Sequence, residues 1–458
     1  MDVSSQMERP KKQKLGGGEE MVGQRKGLSD LPDVVIAKII SSLPTKEAIR
    51  TSILSKRWEY LWTSIPNLEF YPGNAKRSLL VNVVDRALLL RGPSDIKQFR
   101  LRFPVLGDAS RVHAWISAIV RRNVEDLSIE LDSHKEPFSL PHSLLTSATL
   151  KVLNLYLPCS FKVPSTICFS SLRELSLCSV VFSDDYSTQQ LFSGCPVLEN
   201  LSFSECNWEN IKFVSICAPK LLRLSIDESE LPISRGSNVC QIMVFGVSLA
   251  YFYYSGQLLN DYCLCNSSVH EAHISIDDTK GSRLNSYLLH KLLRGLSTVK
   301  SLTIFHQNLE VALTGASELL AQMPMFNDLT TLIFDGRVIE LDSIVLLRIL
   351  QNCPCLRDLS FHEGVRLCSD DAKDDGMLDI PLPPCFSTSL KEIGVSEFCG
   401  NQNELRALRI LLKNAIVLEN MFVSYRGTLE GNTEKKRDLN KQISDLPKGS
   451  QSCEIDCD

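Results

Sequence analysis

The pattern Leu-x-x-Leu-x-Leu, with other apolar residues standing in for leucine, recurs thirteen times between Ile96 and Val423 and restricts the fold more than any other feature of the chain. The clearest run is Ile96/Phe99/Leu101, Val124/Leu127/Ile129, Leu150/Leu153/Leu155, Leu172/Leu175/Leu177, Leu198/Leu201/Phe203 and Leu221/Leu224/Ile226, and the series ends at Leu418/Met421/Val423. Most instances lie about 20 to 30 residues apart, which is the period of a stacked repeat. Each unit reads as one strand plus a return segment. A single unit cannot bury its apolar face, so neighbours must stack into a parallel sheet over a continuous core. Ser183-Asp184 ahead of Tyr186–Phe192, and Leu341–Leu350 with Ile344, Leu347 and Leu350 on one face, predict helices in the return segments. Gly194-Cys195-Pro196 and Asn352-Cys353-Pro354 then stop the helix, because proline cannot continue it. Cys195, Cys217 and Cys353 are expected as buried corner residues. Thirteen strands would make an open face on the order of 60 Å long, large enough for a protein surface.

The segment Leu28–Trp62 does not follow this period. Pro32 opens an apolar helix running to Ser42, with Ser29 and Asp30 as capping candidates, and Val34, Val35, Ile36, Ile39 and Ile40 point in nearly every direction around it. Pro44-Thr45 begins a second helix, and Ser55 a third containing Trp58, Leu61, Trp62 and Ile65. Leu31-Pro32-Asp33, Leu43-Pro44-Thr45-Lys46, Thr51-Ser52, Leu54-Ser55, Arg57-Trp58 and Leu61-Trp62 together resemble the plant F-box proteins. That resemblance implies binding to the Skp-type adaptor of a cullin-RING ubiquitin ligase, with Leu31, Pro32, Ile36, Ile39, Leu43, Pro44, Leu54 and Trp58 as the adaptor-binding residues. The repeats are similar to leucine-rich repeats. Pro384-Cys385-Phe386, Ser389-Leu390-Lys391, Phe398-x-Gly400 and Asn414–Met421 resemble the FBD domain that follows such repeats in many plant F-box proteins, although no Trp-x-x-Pro precedes the Pro-Cys.

The fold class expected is therefore α/β: a small helical F-box module, then a leucine-rich-repeat solenoid with a parallel concave sheet and a C-terminal FBD cap. The expected division is a basic disordered tail at 1–27, F-box at 28–70, repeats at 71–380, FBD domain at 381–435 and a disordered tail at 436–458 that carries Cys453 and Cys457 as exposed thiols.

A net charge of −5 provides no general basic field, so nucleic acid is not expected as a partner. Met1–Lys26 is polar and charged, unlike a secretory signal, and its cluster Arg9–Lys14 is compatible with either a nuclear-import signal or a solvated tail. Val239–Tyr254 is too short for a membrane span and reads as two buried strands, so no membrane is expected either. Sixteen cysteines without a secretory signal are expected to be reduced, in the nucleus and/or cytoplasm. Cys263-x-Cys265 with His270-x-x-His273 comes nearest to metal-ligand spacing, but one intervening residue is fewer than structural zinc uses, and Asp370–Asp375 reads as a solvated acidic loop. No metal and no cofactor are expected. Neither a phosphate-cradling glycine loop nor a nucleophile elbow occurs, and the chain reads as non-catalytic.

The function expected is that of a substrate-recognition subunit of an SCF-type E3 ubiquitin ligase, holding the adaptor by its F-box and a protein target of unknown identity by its repeats. Two alternatives fit the same sequence: a scaffold that delivers no target, and a sensor in which a small ligand completes the repeat face. Outward positions beside the inward apolar residues name Tyr251, Tyr253, Glu271, His273, Phe305, Asp335 and His362 as target-binding candidates, because interfaces enrich aromatics among polar groups.

Overall fold

The computed structural model describes residues 31–458 apart from 73–75, 93, 106, 133–136, 163–166, 232–238, 278–280, 306–308, 369–380 and 428–432. The expected basic tail at 1–27, the caps Ser29 and Asp30, and the acidic loop Asp370–Asp375 lie outside the described residues. The chain divides into two compact units, 1–65 and 66–458.

In the first unit the prolines set the helix starts. Pro32, at φ −57° and ψ 147°, precedes the helix Asp33–Ser41, and Pro44 in the same conformation precedes Thr45–Arg50. The expected third helix is instead a set of turns followed by a 3₁₀ helix, Leu61–Ser64. The cause is local competition for carbonyls: Thr63 Oγ1 donates to Tyr60 O at 2.6 Å, Ser64 Oγ to Leu61 O at 2.8 Å and Trp62 Nε1 to Glu59 O at 3.0 Å. Pro66 then forces Ile65 into extended geometry, with ψ at 135°. Ile36, Ile40, Ala48, Trp58, Trp62 and Ile65 form the core of this unit. Arg57 donates to Asp33 Oδ1 and, at 2.5 Å, to Leu31 O, which ties the Arg-Trp end of the motif to its Leu-Pro-Asp start.

The second unit is built on a fifteen-stranded sheet in which every described pairing is parallel, running from Asn67–Phe70 to Glu454–Cys457. The repeat residues fall in register. Leu201, Leu224, Phe252, Ala272, Leu302, Leu332 and Leu359 are successive Cα partners, and all are buried. Period-two alternation therefore sends one set of side chains into the core and the other onto the open face, which is concave in a solenoid of this kind.

Return segments supply helices and three short sheets. Asp184 caps Asp185–Ser193 by accepting from Ser187 N at 2.8 Å, as the sequence predicts, while the helix expected over Leu341–Leu350 starts at Ile344, because the Ser343 hydroxyl caps it by accepting from Leu346 N. Cys195 and Cys353 are buried at helix ends, whereas Cys217 is exposed, because it ends a strand of an outer sheet, Phe213–Cys217, Gln241–Phe245 and Asp261–Cys265, on the face away from the core. Val239–Tyr254 does split into two strands, and among the described residues no helix is long and apolar enough to cross a membrane.

The C-terminal segment departs from expectation. Residues 436–458 are not a loose tail: Thr433–Ser444 is a helix with Leu439 and Ile443 buried, and Glu454–Cys457 pairs in register with Asn420–Tyr425. Cys453 is buried. The polar composition of this helix hid a two-residue apolar contact, Leu439 reaching the backbone at Gly400, where a side chain would collide with it. Within 381–435, the strands Glu392–Phe398 and Asn420–Tyr425 continue the same sheet, and Glu404 accepts from the backbone N–H groups of Cys399, Gly400 and Asn401 to close a capping box on the helix Gln402–Asn414.

Candidate functional site

Two surfaces carry side chains that the folding core leaves available. The first is on the small unit. Burying Ile36 and Ile40 turns the opposite side of the first helix outward, so Val34 is 80% exposed and Val35 and Ile39 are also exposed. Ile53 at 88% and Leu54 at 58% exposure add to the apolar surface of this unit. The eight residues named from the sequence therefore sort into two sets. Pro32, Ile39, Pro44 and Leu54 are exposed, and Leu31 and Leu43 are partly so. Ile36 and Trp58 are core residues, at 0% and 3% exposure. Val34, Val35 and Ile53 were missed as surface residues. The signal for the first two was present in a helix apolar all round, which must leave some apolar side chains outside.

The second surface is the open face of the long sheet. The seven candidates lie on or immediately after five consecutive strands, Tyr251–Gly256, Glu271–Ile276, Ser301–Phe305, Thr331–Asp335 and Asp358–Phe361, a span of roughly 20 Å across the sheet. They form two groups. In the first, Tyr253 and His273 are Cα partners, the Tyr251 and His273 rings are 5.4 Å apart, and His273 Nε2 lies 2.9 Å from Glu271 Oε1. Burial, with the charge of Glu271 beside it, pushes the Tyr251 hydroxyl above its ordinary range. In the second, Phe305 and Asp335 are Cα partners and His362 Nδ1 is 3.4 Å from Asp335 Oδ2. Arg223 was not among the candidates, yet its guanidinium lies 6.0 Å from the Tyr251 ring centre. It occupies the outward position before Leu224, so the register alone contained it.

Across these five strands the face gathers aromatics and acids beside the Arg223 guanidinium. The buried thiols are poor nucleophiles, because burial pushes Cys159 up to about 11 and Cys195, Cys206, Cys240 and Cys385 up to about 12. Nearer the start of the sheet, a shallow groove of about 260 Å³ is lined by Tyr71, Arg100, Glu130, Asn154, Tyr156 and Cys178, with Arg100 set between Glu69 and Asp126. The two histidines of the His-x-x-His pattern separate, His273 on this face and His270 at the strand's exposed edge, while Cys263 and Cys265 belong to the outer sheet.

Comparison with known proteins agrees with this architecture. Residues 28–70 match the F-box domain, and residues 91–446 match the At1g61320/AtMIF1 LRR domain, a range that takes in the C-terminal strands continuing the sheet. Among similar Arabidopsis thaliana proteins, F-box/LRR-repeat protein At3g59210 is 30% identical over 93% of this chain and 93% of its own length. F-box/FBD/LRR-repeat protein At5g56420 is 27% identical over 95% of this chain and 99% of its own, and F-box/FBD/LRR-repeat protein At4g26340 is 29% identical over 93% and 99%. With a helical N-terminal unit matching the F-box and a parallel repeat sheet matching the LRR model over most of the remaining length, this chain belongs to the family of F-box/LRR-repeat proteins.

Proposed function

We propose that the protein is the substrate-receptor subunit of an SCF-type ubiquitin ligase, binding a Skp-type adaptor, and through it a cullin-RING ligase, with its F-box and a protein target with the open face of its repeats. The observation that carries this reading is the exposed apolar set Val34, Val35, Ile39, Ile53 and Leu54 on a unit of only about 35 described residues. An exposed apolar set of this kind on so small a unit supports a protein-contact surface. The chain contributes no catalytic group in this reading. It raises the effective concentration of a target near a charged conjugating enzyme. All sixteen cysteines are unbridged, which supports a reducing setting, the nucleus and/or cytoplasm.

The test is co-expression of the full chain with a Skp-type adaptor. Ile53→Asp combined with Val34→Asp should abolish co-purification, since central apolar anchors each contribute about 2 kcal/mol or more. Its circular dichroism should stay that of the parent. Arg223→Glu or Tyr253→Ala should leave the adaptor bound while reducing ubiquitination of captured proteins. Retention of the adaptor by the double variant would overturn the assignment.

A further inference from the structure

The outer sheet sets Met243, Cys263 and Cys265 at neighbouring outward positions of one face, with Cys217 on the same face two strands from Cys265. Along Asp261–Cys265, Tyr262 and Leu264 are buried, so Asp261, Cys263 and Cys265 share the opposite side. The Cys263 and Cys265 Sγ atoms are 3.7 Å apart. On the adjacent strand Met243 is the Cα partner of Cys263 and likewise points away from the buried Ile242 and Val244, one strand spacing of about 4.8 Å away. All three side chains are half-buried and open to small solutes.

Two ordinary explanations fail on geometry. A disulfide needs Cβ atoms about 3.5–4.5 Å apart, but side chains two residues apart on an extended strand start from Cα atoms about 6.6–6.8 Å apart and run parallel. Closing the bond would break the in-register ladder to Gln241–Phe245. A structural zinc site needs four donors from Cys, His, Asp or Glu, and among the described residues no three such side chains converge.

What remains is a donor set of two thiolates and one thioether, the combination that selects a soft monovalent ion. Metal–sulfur bonds of about 2.3 Å reaching two sulfurs 3.7 Å apart enclose an angle of roughly 107° at the metal. That is far from linear and calls for a third donor, and Met243 is the sulfur residue that the register sets beside Cys263. We propose that Cys263, Cys265 and Met243 form a binding site for monovalent copper. On binding, the two S–H bonds break, two Cu–S bonds form and both protons pass to solvent. The thioether donates a lone pair without deprotonation, and the copper stays in its monovalent state. The complex carries one negative charge. Lys291 faces it from the helix Arg283–Gly295, its Nζ 2.6 Å from Asp261 Oδ2. Before binding, the two thiols lie within hydrogen-bonding reach of each other.

The experiment is anaerobic titration of the reduced full chain with Cu(I) against a chromophoric Cu(I) chelator, with X-ray absorption on the loaded protein. The wild type should retain one Cu(I) more than Cys263→Ser or Cys265→Ser, with a sulfur-only, three-coordinate spectrum. Met243→Leu should weaken that ion about tenfold or more and shift the spectrum toward two-coordinate. Cys217→Ser and Cys368→Ser, at exposed thiols outside the site, should change neither result. Thermal melts without metal establish that the variants fold. Equal retention by wild type and both serine variants would overturn the proposal, as would an unchanged spectrum in Met243→Leu.

Discussion

Replacing Glu228 by alanine should be among the most damaging single changes in the repeat unit. Glu228 follows the strand Arg223–Asp227 and is 1% exposed. Its carboxyl group accepts from the Tyr254 hydroxyl at 2.7 Å, Asn260 Nδ2 at 2.7 Å, the Tyr262 hydroxyl at 2.7 Å and Leu259 N at 3.3 Å. Tyr254 lies on the long sheet and Tyr262 on the outer sheet, so this one side chain joins the two layers. Burial, reinforced by Glu228, raises the Tyr262 hydroxyl well above its usual range, so it stays a donor. Removing the acceptor leaves buried donors without a partner at about 1–3 kcal/mol each, partly relieved by water entering the gap. With several donors orphaned together, a loss of about 3–5 kcal/mol follows. Glu228→Gln keeps one carbonyl oxygen for the donors and should lose only about 1–2 kcal/mol.

Urea unfolding followed by far-UV circular dichroism, with hydrogen exchange of 251–262, reads both numbers. Stacked repeats can open locally, so the exchange measurement locates the loss. Gly256 supplies a second route to the same site. At φ +145° it lets the chain pass Glu228, and an added Cβ would sit 2.7 Å from the Glu228 Cβ, so Gly256→Ala should destabilise the same segment. Tyr251 and Tyr253 alternate with Tyr254 on one strand, so loss of the network should also loosen the proposed target face. If Glu228→Ala unfolds within about 0.5 kcal/mol of the parent, the network is not a structural joint and the reasoning is wrong.

Two further outcomes follow. Asp184 is held below the ordinary carboxylate range first by the Ser187 backbone N–H and then by the Ser187 hydroxyl. Its contribution is therefore fully present above the unfolded value of about 3.9 and lost as pH falls through the lower folded value, so Asp184→Ala should cost about 1 kcal/mol at pH 7 and progressively less as the pH is lowered below that unfolded value, measured by paired urea titrations. Deleting 433–458 should lower the melting temperature and promote aggregation, because it uncovers the edge of Asn420–Tyr425 and removes the buried Leu439, Ile443, Leu446 and Cys453; a truncated protein as stable and monomeric as the parent would contradict this.

The repeat spacing made the long sheet legible because a period-two error would put leucines in water, and thirteen such errors cannot be tolerated together. The first and last strands, Asn67–Phe70 and Glu454–Cys457, were missed because an end strand buries less. Asn-Leu-Glu-Phe and Glu-Ile-Asp-Cys alternate for only four residues, with no leucine triad to mark them. The third F-box helix was misread for a different reason. Trp58, Leu61, Trp62 and Ile65 have helical spacing, but the hydroxyl and indole bonds that replace the helical ladder leave no trace in an apolar pattern. Glu228 was invisible too, since its partners are 26 to 34 residues away and belong to two different sheets.

The same physics separates what an F-box/LRR sequence must keep from what it is free to vary. Inward positions are fixed by packing against their register neighbours, so Leu224, Phe252 and Ala272 report only on the fold. Outward positions bear no such constraint, and their chemistry changes along the sheet. The central outward row is small and polar across Ser128, Asn154, Ser176, Ser202 and Ser225, and then turns to Tyr253 and His273 in consecutive strands. A small-residue row can be crossed closely by a partner's backbone, while the aromatic pair beyond it offers the anchors that dominate binding energy. A target that engages this face should accordingly lose affinity steeply on Tyr253→Ala and only slightly on Ser202→Ala, and a cross-strand step from small to aromatic is where recognition residues can be sought in a chain whose target is unknown.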